Sequence, residues 1–163
     1  MSSKTELLAL LNTANGTHYT EAQVSFGAPA VAAAPDADHN TEITVSGVSA
    51  AGYTGSMALK YKRLDLATQF VGHPQSSSGP ETGGTLQEVL DDIFAATAVR
   101  LYPEDFSNSA SVDFSQPSIT LTAAATSLKW VGSLVVTTTV DLRDISASIA
   151  TDTLPGFEYQ TIS

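Results

Sequence analysis

A chain of 163 residues can bury one sizeable core, or two small ones that share an interface. Apolar residues at 42% and a mean hydropathy of +0.06 are globular values and exclude the polar, charge-rich composition of a disordered chain. The 17 acidic against 7 basic residues leave a net charge of −10, which argues against nucleic acid and against anionic membrane surfaces, both of which demand clustered Lys and Arg. Without cysteine there is no disulfide framework, thiolate nucleophile or zinc–sulfur site.

In chain order, Met1-Ser2-Ser3-Lys4-Thr5-Glu6 carries no apolar run behind a basic head, so no signal peptide is expected. Ser3-Lys4-Thr5-Glu6 reads as a capping box. Leu7, Leu8, Leu10, Leu11 and Ala14 continue it as a helical apolar stripe that stops at Asn15-Gly16. Thr20-Glu21-Ala22-Gln23 is a short capped turn, and Val24-Ser25-Phe26 an extended piece with apolar residues two apart. Residues 30–40 form an Ala- and Asp-containing insertion. Residues 41–48 alternate apolar with polar as a half-buried strand does, and residues 56–66 form a further strand after Tyr53-Thr54-Gly55. Gly72-His73-Pro74-Gln75-Ser76-Ser77-Ser78-Gly79-Pro80 opens a Gly/Ser/Pro-rich stretch without an apolar face, expected to be a linker or exposed loop.

Beyond it the pattern returns. Thr85-Leu86-Gln87-Glu88 is a second capping box, and Leu86, Val89, Leu90, Ile93 and Phe94 make the stripe. Tyr102-Pro103-Glu104-Asp105 makes the short turn, and strands are expected over residues 112–114, 118–124 and 133–142. The blocks match by eye: Val24 to Pro29 with Val112 to Pro117, Ile43-Thr44-Val45-Ser46 with Ile119-Thr120-Leu121-Thr122, and Tyr53 to Leu59 with Trp130 to Val136. Both halves then reach Asp-Leu, at Asp65-Leu66 and Asp141-Leu142. The expected fold is therefore α+β, two fused repeats packed into one compact body, each a helix plus a short strand and a β-hairpin. The first repeat spans residues 1–70, the linker 71–84, the second repeat 85–142, and a C-terminal arm 143–163. The arm's Ile145, Ile149, Phe157, Tyr159 and Ile162 are too apolar for a solvated tail, so it should fold back on the body or lie on a neighbouring subunit.

Sites of chemistry are harder to find. Asp36-Ala37-Asp38-His39-Asn40 begins like a calcium loop, but Thr41 stands where the turn glycine belongs and Gly47 where the bidentate Glu belongs. His18, His39 and His73 share no spacing, no G-x-S-x-G elbow occurs, and neighbouring Asp91 and Asp92 diverge by about 100° on a helix. Gly79 to Gly84 lacks the Lys of a phosphate loop. Asn15-Gly16-Thr17 is formally a glycosylation sequon, read here as a helix end. Tyr53 and Trp130 hold matched positions that suit core packing or, as the sharper alternative, a sugar-stacking platform. No catalytic, cofactor-binding or metal residues are therefore assigned.

Five segments together resemble a family of small virion structural proteins from large tailed bacteriophages: Lys4 to Thr17, Thr20 to Pro29, Asn40 to Val45, Gly52-Tyr53-Thr54-Gly55-Ser56 and Leu154-Pro155-Gly156-Phe157-Glu158-Tyr159. The resemblance implies a non-enzymatic head-decorating, neck, tail or baseplate component, made in the bacterial host cytoplasm and resident in the virion. It would act through other virion proteins and copies of itself, with no cofactor, small-molecule substrate, nucleic acid or membrane. The alternative is a surface-exposed carbohydrate-binding module for host attachment, and a third reading is a free-standing binding domain with no virion role.

Overall fold

In the computed structural model, residues 2–141 are described, so the arm at 143–163 lies outside the described residues. They fold as a mixed α+β body with three α-helices and several small sheets. Helix α1 (Ser3–Asn15) is capped by Ser2, whose Oγ accepts the Thr5 N–H at 3.2 Å, and not by Ser3. Ser3 is thereby free to turn inward, where it is buried. Gly16 closes the helix in the left-handed region, at φ 63°, with its N–H on the Asn12 carbonyl. Leu7 and Leu8 are buried and Leu11 half-buried, whereas Leu10 is 65% exposed. The reason is angular. Leu7, Leu11 and Leu8 fall within about a 100° arc of the helix, and Leu10 lies about 100° from its centre.

The first sheet is built on β3 (Thr41–Gly47). Along one edge, β1 (Val24–Phe26) and β2 (Ala30–Val31) run as one broken strand, pairing Val24 with Gly47 and Ala30 with Glu42. Between them the Gly27 N–H bonds the Thr44 carbonyl at 2.9 Å. Part of the insertion at residues 30–40 therefore continues the sheet. On the other edge lies β4 (Ser56–Tyr61), antiparallel, with Ile43 opposite Leu59 and Val45 opposite Met57.

The chain then crosses to the second half. Strand β5 (Leu64–Asp65) and α2 (Leu66–Gln69) precede β6 (Gln75–Gly79) and β7 (Gly84–Thr85). Helix α3 (Leu86–Thr97) leads through a 3-10 turn (Pro103–Asp105) to β8 (Ser111–Val112), β9 (Ser118–Thr122), β10 (Trp130–Val131) and β11 (Ser133–Val140). The capping box at α3 is present in full: Thr85 Oγ1 accepts the Glu88 N–H at 3.3 Å, and Glu88 Oε2 accepts the Thr85 N–H at 2.7 Å. Leu86, Val89, Leu90 and Ile93 are all buried. They form one apolar core with Leu66, Phe70, Phe114, Leu121, Trp130 and Val136.

Two expectations are corrected. The stretch expected to be a linker, 71–84, holds strand β6 and the first residue of β7. β6 pairs parallel with β11 on the side opposite β9, and its Gln75, Ser77 and Gly79 point inward. Small residues suit this place because the Phe114 ring lies against the backbone there. A Cβ at Gly79 would sit 2.5 Å from a carbon of that ring, and one at Gly84 2.4 Å. A hydrophobic pattern could not announce such a strand, since its inner face is Gln, Ser and Gly. The second correction concerns Val112, matched by eye to Val24. Val24 pairs with β3, but Val112 pairs with Gly84, and Phe114 lies in a turn, so the two pairs are not equivalent.

Candidate functional site

Directly opposed residues in an antiparallel pair project from the same face. Phe26, Val45 and Met57 therefore line up across the first sheet, as do Ile43 and Leu59. Ile43 is buried, but towards the β3–β4 turn this face opens into a groove of about 440 Å³ between the sheet and the last turns of α1. Leu11, Tyr19, Val24, Val45, Tyr53, Met57 and Leu59 contribute its walls, and no charged side chain lines it. Tyr53 meets Tyr19 edge to face, with ring centroids 5.7 Å apart, and its hydroxyl accepts from Gln23 Nε2 at 3.1 Å. Met57 is 66% exposed. No described strand pairs with the outer edge of β4. At that edge burial pushes the Tyr61 hydroxyl up to about 12, and this hydroxyl finds no hydrogen-bond partner among the described residues.

A second constellation, absent from the sequence reading, is a buried polar seam joining α1 and the first sheet to the second half. Asp105 is almost wholly buried and accepts the hydroxyls of Ser3 at 2.5 Å and Ser127 at 2.7 Å. Desolvation raises its pKa, and the two hydroxyl bonds offset part of that rise. Ser127 Oγ in turn accepts the Trp130 N–H at 3.0 Å. Arg63, also buried, donates from Nε to Thr41 Oγ1 and from Nη1 to the Ser127 carbonyl, both at 3.1 Å. Beside them Lys129 Nζ meets Glu6 Oε2 at 2.7 Å, and the Tyr102 hydroxyl donates to Glu6 Oε1 at 3.0 Å. The Asp105 carboxyl is held by two serines, and no histidine is bonded to either, so the geometry is that of a bracket between elements. Asp105 itself was legible only as the end of a short turn.

The residues weighed from sequence fall elsewhere. Asp36 Oδ1 accepts the N–H groups of Asp38 at 2.8 Å and His39 at 2.7 Å, and these bonds hold its carboxyl below the usual range. His39 Nδ1 lies 3.1 Å from the same oxygen, so the loop satisfies itself. Asp91 and Asp92 diverge as expected. Asp91 accepts from Gln87 Nε2, while Asp92 accepts from Ser77 Oγ at 2.5 Å and so anchors β6 rather than facing solvent alone. Trp130 is in the core, and its match Tyr53 is on the groove wall. His18, His39 and His73 stand in separate loops. Among the described residues no group of three or more His, Asp or Glu is placed to hold a metal ion, and no helix is long and apolar enough to cross a membrane.

The profile of one family, described as a family of unknown function (DUF7941), matches residues 1–163, and the chain belongs to that family. No curated protein and no solved structure matches it.

Proposed function

We propose that this member of the DUF7941 family is a non-enzymatic structural subunit of a tailed-bacteriophage particle. In this reading it is built from two fused helix-plus-hairpin units and works through contacts with other virion proteins and with copies of itself. Local geometry supports the two-unit part. The β3–β4 pairing sets Ile43 opposite Leu59 and Val45 opposite Met57, and β9–β11 sets Ile119 opposite Val136 and Leu121 opposite Leu134. Each hairpin is closed in the same way, by the Gly47 N–H on the Gly55 carbonyl (2.9 Å) and the Ala123 N–H on the Gly132 carbonyl (3.0 Å). Helices α1 and α3 both end in a left-handed cap, Gly16 at φ 63° and Ala98 at φ 58°. The entering strand is matched by its bonds as well, Val48 N–H to the Gln23 carbonyl and Ala124 N–H to the Asp105 carbonyl, which pairs Val24 with Phe106 instead of Val112.

The observation that carries the particle role is the uncharged apolar groove beside a strand edge that no described strand pairs. A surface of this kind offers main-chain hydrogen bonds and apolar pockets to another polypeptide. The resemblance to virion proteins supplies the setting. Mass spectrometry of gradient-purified particles of the phage encoding this chain should find it in stoichiometric amount. Abundance in infected-cell lysate with absence from particles would overturn the reading. The Tyr19–Tyr53 pair is the one observation favouring the sugar-binding alternative, and glycan-array binding abolished by Tyr53→Ala would install that alternative in its place.

A further inference from the structure

The two halves differ in what closes them. In the second, the chain leaving the first supplies the closure: β5 pairs parallel with β10, Leu66 and Phe70 enter the core, and β6 adds a parallel strand to the outer edge of β11. Leu121, Leu134 and Val136 are all buried as a result, Leu134 being 8% exposed. Their matches in the first half are Val45, Met57 and Leu59, and these line the open groove with Met57 66% exposed. Among the described residues, the first half thus has the same sheet face and the same strand edge without a segment that covers them.

We infer that residues 142–163 of one copy dock in the first-half groove of a neighbouring copy and extend its sheet along β4. The segment follows the second hairpin as residues 64–79 follow the first, and both exits begin alike, with Asp65-Leu66 and Asp141-Leu142. Beyond it, Ile145, Ala147 and Ile149 alternate with Ser146 and Ser148, the period-two pattern of a strand with one buried face. Its length suffices: 22 extended residues reach about 70 Å, against about 20 Å for the six residues of β4. The uncharged lining suits these apolar side chains, and the β4 edge, which no described strand pairs, suits their main chain.

A neighbour is chosen over the same chain because the contacts between halves run one way. The first half reaches the second through Ser3 to Asp105 and Glu6 to Lys129. Exchanging the halves would require Thr85 to meet Gln23, and Glu88 to meet the match of Lys129. Instead Thr85 and Glu88 bond each other, and the Gln23 side chain bonds Tyr53 and the Thr20 N–H. The relation is therefore not a two-fold. Repeating the same step from the second half leads onward to the first half of another copy. Such head-to-tail contacts generate rings or open filaments.

The inference rests on the two-unit part of the proposed function and not on the particle role. The chain has no cysteine of its own, so two single-cysteine full-length chains, Met57→Cys and Ile149→Cys, can be mixed and oxidised. A disulfide-linked heterodimer formed well above either homodimer is expected, and the double variant should give a ladder of multimers. A double variant that closes mainly within one chain, or mixed chains that do not couple, would overturn the inference. Sedimentation provides an independent measurement without oxidation. The full chain should run as multimers, and the exposed-site variant Met57→Lys should fall to the 17.0 kDa single chain. A full chain that is monomeric at 100 μM would overturn it too. Cross-linked multimers of a chain missing from particles would sink the particle role alone.

Discussion

Truncating Leu90 tests where the core of this protein lies. Leu90 is 1% exposed on the inner face of α3, in the cluster that also holds Trp130, Leu121 and Val136. Leu90→Ala deletes about three carbon groups, worth about 2.4 kcal/mol in transfer at roughly 0.8 kcal/mol each. An unrelaxed void adds about 24 cal/mol per Å³, so a residual cavity of about 60 Å³ contributes about 1.4 kcal/mol more. The expected loss is about 4 kcal/mol, within the roughly 2–5 kcal/mol span for buried leucines. Leu10 supplies the control, since its spacing fits the same kind of stripe but it is 65% exposed. Leu10→Ala should therefore cost less than about 1 kcal/mol. Urea unfolding followed by the fluorescence of Trp130, the single tryptophan and itself buried in that core, reads both. With a slope of about 2 kcal/mol/M, Leu90→Ala should lower the midpoint by about 2 M. Equal losses at the two sites would refute the assignment of the core, as would a loss below about 1 kcal/mol for Leu90→Ala.

Two further outcomes are expected. Gly79→Ala drives a methyl into the Phe114 ring and should cost about 1–3 kcal/mol, with Phe114→Leu recovering part of the loss in the double variant; an additive double variant would show that β6 does not pack there. Asp105 has a folded-state pKa raised above its unfolded value, chiefly by burial, so the folded chain binds the proton more tightly. Stability contributed by this carboxyl should therefore fall as pH rises from the ordinary carboxylate value through the raised one. In urea titrations from pH 3.5 to 7, wild type should gain on Asp105→Asn as pH is lowered; a wild-type advantage that grows with rising pH would mean the carboxyl is stabilised charged.

The helices and most hairpin strands were legible because their signals are local. Thr85 and Glu88 announce α3, Gly16 ends α1, and the alternation over Ile43-Thr44-Val45 and Ile119-Thr120-Leu121 marks the central strands. Failures came where a residue's role depends on a distant partner. β6 reads as linker because Gln75, Ser77 and Gly79 earn their place only against β11 and Phe114. Val112 shares the Val-x-Phe string with Val24, yet the backbone carbonyl bonded in the manner of Gln23, to the Val48 N–H, is that of Asp105, to the Ala124 N–H. Ser3 looked like a cap because Ser2 and Ser3 are chemically alike, and only the bond to Asp105 across the fold separates them. The groove left no mark at all: Met57 and Leu59 are an ordinary strand pattern, and the exposure of Met57 goes with an outer β4 edge that no described strand covers.

The seam explains why the two halves hold a one-way relation instead of sliding over one another. Apolar contact is non-directional and would tolerate several mutual angles. A carboxyl with both oxygens bonded to hydroxyls, from Ser3 on α1 and Ser127 ahead of β10, tolerates few. Arg63 extends the bracket to Thr41 at the start of β3, and the Lys129–Glu6 pair fixes the face of α1. Burial of Asp105 and Arg63 carries a desolvation cost, so these groups are poor sources of stability, and an arrangement that broke their bonds would leave buried polar groups unpaired. Among the described residues no strand covers the outer β4 edge beside the Met57 groove, while β6 pairs with the outer edge of β11. If the two halves are repeats, as proposed, the described residues satisfy one of the two matched sheet edges and leave the other open. The head-to-tail docking inferred above draws on that asymmetry, which a two-fold pairing of the halves would remove.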